Sequence, residues 1–235
     1  MVGAALHPKP GRGSSSSSSS PYVTREGRAH SRTAQRSALR RGRKYAPTPS
    51  LLTWALIKSH GFVAWHNQPT VLEPCAGEGA ISDVLRESGL FRLVDTADID
   101  PAKVKPATAI GATSFTMDAT DPGAWARSAR YDWVITNPPY NQAPAILPLA
   151  YDNCRVGMAM LLRLSYLEPC NNRARWLAEH PPAKLIVFNP RPRFRADTGG
   201  SDSVTSAWFI WHRFGNSQGT ELEFCTNWRN HGTDN

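Results

Sequence analysis

The sequence predicts an α/β fold, a mostly parallel twisted sheet with helices on both faces and an antiparallel edge strand. Three observations carry that expectation. Short apolar runs alternate with helical stretches from residue 48 onward. A length of 235 residues, 40% of them hydrophobic and 20% charged, suits an ordinary globular chain with one large core or two small ones. A late apolar run, Ala207 to Trp211, reads as the antiparallel edge.

The first element is a helix over Thr48 to His60, where Leu51, Leu52, Ala55, Leu56 and Ile57 form a stripe behind Thr48, Pro49 and Ser50, residues able to cap and start it. Thr70 to Pro74 reads as a strand entering a turn, and Ala80 to Glu87 as the helix that follows. Phe91 to Ile99 is a second strand. Tyr131 to Thr136, with Val134 and Ile135 at its centre, is a buried one that stops at Asn137-Pro138-Pro139. Val156 to Leu162 is apolar enough for a central strand, and Lys184 to Phe188 is another. No internal repeat is visible.

Charge divides the chain. Residues 1–45 hold ten Lys and Arg against one acid, Glu26, for a net of +9, and the remainder is close to neutral at −1. Only the tail is therefore a general polyanion magnet. Seven consecutive serines, Ser14 to Ser20, and a scarcity of large apolar residues make residues 1–44 read as a disordered segment preceding a domain over 45–235. A nucleic-acid tether, an organellar transit peptide, a start site placed too far upstream and a plain solvated tail all fit this composition. Cys75, Cys154, Cys170 and Cys225 lie far apart without a CxxC pair, which predicts neither a zinc module nor a disulfide framework. The best apolar run, Val156 to Leu164, is interrupted by Arg163 and falls short of the ~18 residues of a membrane span. A cytoplasmic compartment, in a bacterial or phage-infected cell, is the default expectation, with organellar import through the tail left open.

In sheets of this kind ligands sit beyond the carboxyl ends of the strands, so residues directly after each strand carry the chemistry. Four positions matter. Glu73-Pro74-Cys75-Ala76-Gly77-Glu78-Gly79 allows a tight turn and close approach to a ligand, although a plain strand-to-helix turn has the same composition. It is neither a phosphate-binding GxxxxGK[ST] loop nor a full GxGxxG fingerprint, and its leading acid suits a cationic or zwitterionic ligand better than a pyrophosphate. Asp98-Ile99-Asp100-Pro101 offers a carboxylate for ribose hydroxyls, or a solvated acid at a strand end. Asp118-Ala119 offers another for an adenine amino group. Asn137-Pro138-Pro139-Tyr140, directly after a buried strand, is an unusual combination for a plain turn.

Taken together, these four segments resemble the class I S-adenosylmethionine-dependent methyltransferases, specifically the DNA adenine amino-methyltransferases. Tyr45-Ala46-Pro47-Thr48-Pro49 is similar to the short TP motif that precedes the core in such enzymes. Arg191 to Phe194, Gly199 to Ser203 and Ala207 to Trp211 are similar to small phage and prophage members. The resemblance covers about residues 45–214. It implies a Rossmann-like fold and S-adenosylmethionine as cofactor, with S-adenosylhomocysteine as product. The methionine end of the cofactor falls to Glu73, Cys75, Gly77 and Gly79. Its ribose falls to Asp98, its adenine to Asp118, and further contacts to Tyr45, Thr48, Ile99, Ala119 and Asn137. The catalytic motif is Asn137, Pro138, Pro139 and Tyr140, and no metal is implied.

The chemistry explains the motif. The adenine amino nitrogen is a poor nucleophile because its lone pair is delocalised into the ring. If the Asn137 side-chain oxygen and the Pro138 carbonyl accept its two protons, the nitrogen pyramidalises and aims its lone pair at the methyl group. Asn137 then orients and does not act as a base. Tyr140 would stack on a base flipped from the duplex or taken from a single strand, a contact worth roughly 1–3 kcal/mol. Phe194 is either the opposite wall or ordinary core packing. Arg191, Arg193 and Arg195 alternate, either as a phosphate track or as a solvated loop, and Asp202 and Ser203 are loop caps or substrate-site residues. Trp208 and Trp211 read as core. Only Gly215 to Asn235 follow, too few for a separate recognition domain, so target choice is expected to rest on loops such as 141–145 and 191–203. DNA is the expected partner. RNA bases or protein glutamine are alternative acceptors with the same planar-amide problem, and a catalytically silent nucleic-acid-binding relative is the alternative of another class.

Overall fold

The computed structural model describes residues 47–60, 68–104, 111–168, 170–194, 204–214 and 219–230. In chain order the elements are α1 (Ser50–His60), β1 (Thr70–Glu73), α2 (Ala80–Glu87), β2 (Leu93–Asp98), β3 (Ser114–Thr116), α3 (Pro122–Arg127), β4 (Tyr131–Thr136), α4 (Ala143–Asn153), β5 (Cys154–Arg163), α5 (Asn171–Glu179), β6 (Lys184–Phe188), β7 (Ser206–His212) and β8 (Glu221–Cys225). The strands form one sheet in the order β3-β2-β1-β4-β5-β7-β6-β8. From β3 to β5 every neighbouring pair is parallel, so their carboxyl ends share one margin. Strand order runs outward in one direction from β1 to β3 and in the other from β4 to β5, which makes the β1–β4 junction the switch point where such sheets bind ligands.

Alternation of side chains along each strand divides the core into two layers. In β7, Trp208 and Ile210 face one layer, where they join Leu52, Leu56, Ile81 and Leu85 of α1 and α2. Ala207, Phe209 and Trp211 face the other, with Ile146 and Leu147 of α4. These five β7 residues are buried, and each large one contributes roughly 1.5–3 kcal/mol by leaving water. Such two-sided burial explains why the run is apolar at every position. The Trp208 indole also donates to the Leu52 carbonyl at 2.8 Å, pinning α1 to the sheet.

β7 is the antiparallel strand that the sequence predicts, pairing that way with both β5 and β6. It lies between those two strands, in from the margin that β8 forms. β8 has no counterpart in the sequence reading. It pairs parallel with β6 and is fastened by Lys184, whose ammonium lies 2.9 Å from Glu221 and 2.8 Å from Glu223. The expected helix over 48–60 begins at Ser50, where the Leu52 amide donates to the Pro49 carbonyl at 3.0 Å. Thr48 does not cap it, because its hydroxyl is turned toward Asn137. Among the described residues, no helix is long and apolar enough to cross a membrane.

Candidate active site

Read along the sheet margin, the carboxyl ends present Asp118 beyond β3, Asp98 on β2, Glu73 and the glycine loop on β1, Asn137 after β4, and Arg163 closing β5. The two segments with the greatest chemical content, the glycine loop and Asn137 to Tyr140, thus follow adjacent strands at the switch point.

Backbone hydrogen bonds and carboxylates shape the loop after β1. Its Ala76 amide donates to the Ala97 carbonyl at 2.9 Å, and its Gly77 amide to Asp98 Oδ2 at 2.8 Å, which ties the loop to the end of β2. Gly77 and Gly79 have φ of 54° and 87°, a left-handed backbone that other residues adopt at a cost. A Cβ at Gly77 would meet nothing within 4 Å, so this part of the loop faces open space. Glu73 is 1% exposed, and its Oε2 accepts from the Ser82 amide at 2.9 Å, satisfying one of the donors at the start of α2. Burial pushes its carboxyl up to about 8, against the opposing pull of Ser82. Burial likewise raises the Cys75 thiol, followed by the nearby carboxylates of Asp98 and Glu73, so the thiol stays protonated and serves as a small neutral group.

Two further acids are held by their own loops. Asp98 Oδ1 accepts from the Asp100 amide at 2.9 Å while Oδ2 holds Gly77, so one carboxylate organises two loops. Ile99, beside it, is 59% exposed, a large apolar side chain presented at a strand end. Asp118 Oδ1 accepts from both the amide and the hydroxyl of Thr120, at 2.8 Å and 2.7 Å. Ala119 is buried, and its carbonyl takes the Trp125 indole donor at 2.9 Å.

After β4 the chain enters Asn137, half-buried, and Pro138, buried. Asn137 Nδ2 donates to Thr48 Oγ1 at 3.1 Å, which leaves Oδ1 on the other side of the amide. The Pro139 carbonyl is taken by the Gln142 amide at 2.8 Å and the Ala143 amide at 3.0 Å, fastening the motif to the start of α4. Tyr140 packs against the α4-side layer, and the Arg163 guanidinium carbon stands 4.8 Å from its ring centroid. Arg163 also lines a cavity of about 610 Å³ with Leu164, Ser165, Leu167, Glu168, Val204 and Thr205.

Arg191 and Arg193 are exposed on either side of buried Pro192, as alternation predicts. Phe194 packs against the α1-side layer, the opposite face of the sheet from Tyr140. Tyr45, Arg195, Asp202 and Ser203 lie outside the described residues, as does the tail over 1–44. Sequence reasoning missed Arg163 and the pairing of Thr48 with Asn137. Arg163 carried a usable signal, a charge ending an apolar run at a strand's carboxyl end.

No family model and no curated protein matches the chain. Among solved structures, one similar fold is a protein from Listeria monocytogenes assigned as a class I S-adenosylmethionine-dependent methyltransferase. It has a TM-score of 0.57 at 11% identity, with 89% of this chain and 74% of that one covered. A protein from Pyrococcus horikoshii assigned as an RNA methyltransferase has a TM-score of 0.52 at 15% identity, over 71% of this chain and 86% of its own. A protein from Vibrio vulnificus assigned as the modification subunit of a type I restriction enzyme has a TM-score of 0.56 at 11% identity, covering 87% of this chain and 53% of that one. At these identities the likeness is one of fold, and the fold is the Rossmann-like one of class I methyltransferases.

Proposed function

We propose that this chain transfers a methyl group from S-adenosylmethionine to the exocyclic amino group of adenine in DNA, with the base lodged against Tyr140. The observation that carries the reading is the Asn137 amide. It stands at the switch point beside the glycine loop, its Nδ2 on Thr48 and its Oδ1 turned the other way. A planar nucleobase amine needs acceptors placed in advance, and Asn137 Oδ1 is one of them. Pro138 supplies the second, since the neighbouring Pro139 carbonyl is already engaged.

The donor set fits the cofactor. The carboxylates of Asp98 and Asp118 on this margin suit a ligand that carries cationic centres, ribose hydroxyls and an adenine amine, and they would repel a pyrophosphate. Asp98 would hold the ribose hydroxyls, Asp118 the adenine amine and Ile99 an apolar face of that adenine. Glu73, Cys75, Gly77 and Gly79 would surround the methionine end. Three strand spacings separate β3 from β4, roughly 14 Å, room for an extended nucleoside with an amino-acid tail. When bound, S-adenosylmethionine supplies an electrophilic methyl on a sulfonium. The residues of the chain do the rest. Asn137 Oδ1 and the Pro138 carbonyl accept the two amino protons and turn the nitrogen lone pair outward, and Tyr140 fixes the plane of the ring. Once nitrogen has gained the methyl group it is cationic and gives its proton to water, so no strong base is required. Thr48 positions the amide and leaves the bond changes to others. Arg191 and Arg193 would follow the phosphates of the nucleic acid.

The test is transfer of labelled methyl from S-adenosylmethionine to matched DNA, RNA and protein pools, followed by digestion and mass spectrometry. Label on the amino group of deoxyadenosine is the expected result. Label confined to RNA or glutamine would replace the acceptor and keep the Asn137 chemistry, whereas cofactor binding without transfer to any pool would overturn the reading in favour of a silent nucleic-acid-binding protein.

A further inference from the structure

Arg163 occupies two places at once. Its guanidinium lies over the Tyr140 ring, 4.8 Å from the centroid, and its side chain lines the cavity of about 610 Å³ that opens beyond β5. Tyr140 is half-buried and packs on the α4-side layer, while Arg163 is exposed, so the guanidinium covers the outward face of the ring. A guanidinium is planar and stacks on aromatic faces much as a base does. The depression is broadly open to solvent, so an occupant would lie across it and not be enclosed. Its floor is fixed by the Leu164 amide donating to the Thr205 carbonyl at 2.9 Å, and its lining combines apolar Leu167, 41% exposed, with Ser165 and the carboxylate residue Glu168. The lining sets the Arg163 guanidinium beside hydroxyls, an acid and apolar side chains, a mixed surface on which a planar base can lie.

We propose that Arg163 is a gate on the stacking face of Tyr140, standing where the target base will lie and withdrawing toward Glu168 when the base enters. This rests on the proposed transfer to a flipped base and names the residue that competes with it. The competition is reversible and needs no bond change. Its equilibrium is set by the difference between guanidinium on tyrosine and guanidinium near carboxylate.

The two ends of that equilibrium give opposite signs. Single-turnover methyl transfer to duplex DNA, with protein and S-adenosylmethionine both saturating, reports the fraction of base in place independently of DNA affinity. Arg163→Met keeps the aliphatic stem, removes the stacked cation and is expected to speed that step by about 2- to 5-fold, the bias an exposed cation–π pair exerts. Glu168→Gln removes the destination of the withdrawn guanidinium and is expected to slow it by a similar factor. An arginine that holds the base in place predicts the reverse, with Arg163→Met slower and Glu168→Gln equal or faster, and one that merely holds phosphate leaves both saturated rates unchanged. Either pattern would overturn the gate while leaving the proposed function intact. Absence of transfer by the wild-type protein would overturn the proposed function and the gate with it.

Discussion

The two ends of α1 meet two different kinds of surface. Eleven residues carry this helix roughly 16 Å along the sheet, from the carboxyl margin, where Thr48 just ahead of it receives Asn137, to the opposite margin, where His60 lies against Trp133 and His212. At the carboxyl margin loops are held by acids accepting backbone amides, as at Glu73, Asp98 and Asp118, and one face of the glycine loop opens on empty space. At the other margin rings fill the volume. His60 and Trp133 centroids are 5.1 Å apart and Trp133 and His212 5.5 Å, and burial first, then His212 and Lys184, holds His60 down at about 3 and therefore neutral. One end is organised by polar groups that a ligand can join, and the other by rings packed on one another. Substitutions at the aromatic end should therefore cost stability and spare chemistry, and those at the polar end should do the opposite.

The strongest challenge to that division is Gly157. A Cβ there would lie 2.3 Å from the Trp211 carbonyl oxygen and 2.8 Å from the Trp133 ring, and the first of these is backbone that cannot swing away. Gly157→Ala is expected to cost about 3 kcal/mol, the upper part of the range for overpacking, read as a large drop in Tm. A variant of unchanged Tm would show that the aromatic end is looser than described.

Glu73 is where the division blurs, because a residue of the polar end also sets stability. Its carboxyl is raised in the folded chain from 4.5 to about 8. Below pH 4.5 both folded and unfolded chains carry the proton and the stability is fully present. As pH rises to about 8, the unfolded chain releases the proton and the folded one retains it, so stability falls. Glu73→Gln keeps an acceptor for the Ser82 amide without a charge to bury. Its Tm is expected to exceed that of the wild type at pH 8, by the equivalent of a few kcal/mol, with the gap closing toward pH 4.5. A gap that widened toward acid would reverse the sign and refute the assignment.

Thr48→Val sharpens the comparison at the scale of one hydrogen bond. Removing the hydroxyl frees the Asn137 amide to rotate, with an expected loss of about 1 kcal/mol of transition-state stabilisation, or roughly 5- to 10-fold in kcat. Affinity for S-adenosylmethionine should hold steady, and Thr48→Ser should restore the rate. A loss confined to cofactor affinity would return Thr48 to a purely cofactor-binding role.

Much of this architecture is legible in the sequence, for identifiable reasons. α2, β4 and β6 lie where apolar patterning places them, because each buries a face whose period matches its backbone. β3 has three residues, Ser-Phe-Thr, too few for a pattern, and β8 alternates Glu and apolar residues in a segment whose pairing depends on Lys184, 37 positions or more away. At the candidate site, the rule that ligands sit beyond strand ends singled out Asp98, Asp118 and Asn137, and the structure sets all three on the carboxyl margin. The same rule covers Arg163, which reads in sequence only as a break in an apolar run. Thr48 and Asn137 are 89 positions apart, and no local signal announces a hydrogen bond across that distance.

The central claim is that the Asn137 amide orients the acceptor nitrogen and does little else. Its most direct test compares wild-type protein with Asn137→Ala, measuring labelled methyl transfer to DNA and, by calorimetry, the affinity for S-adenosylmethionine. Loss of transfer by at least about 10²-fold, as for removal of a preorganised polar group, with affinity nearly unchanged, is the predicted result. Transfer at the wild-type rate would contradict the account.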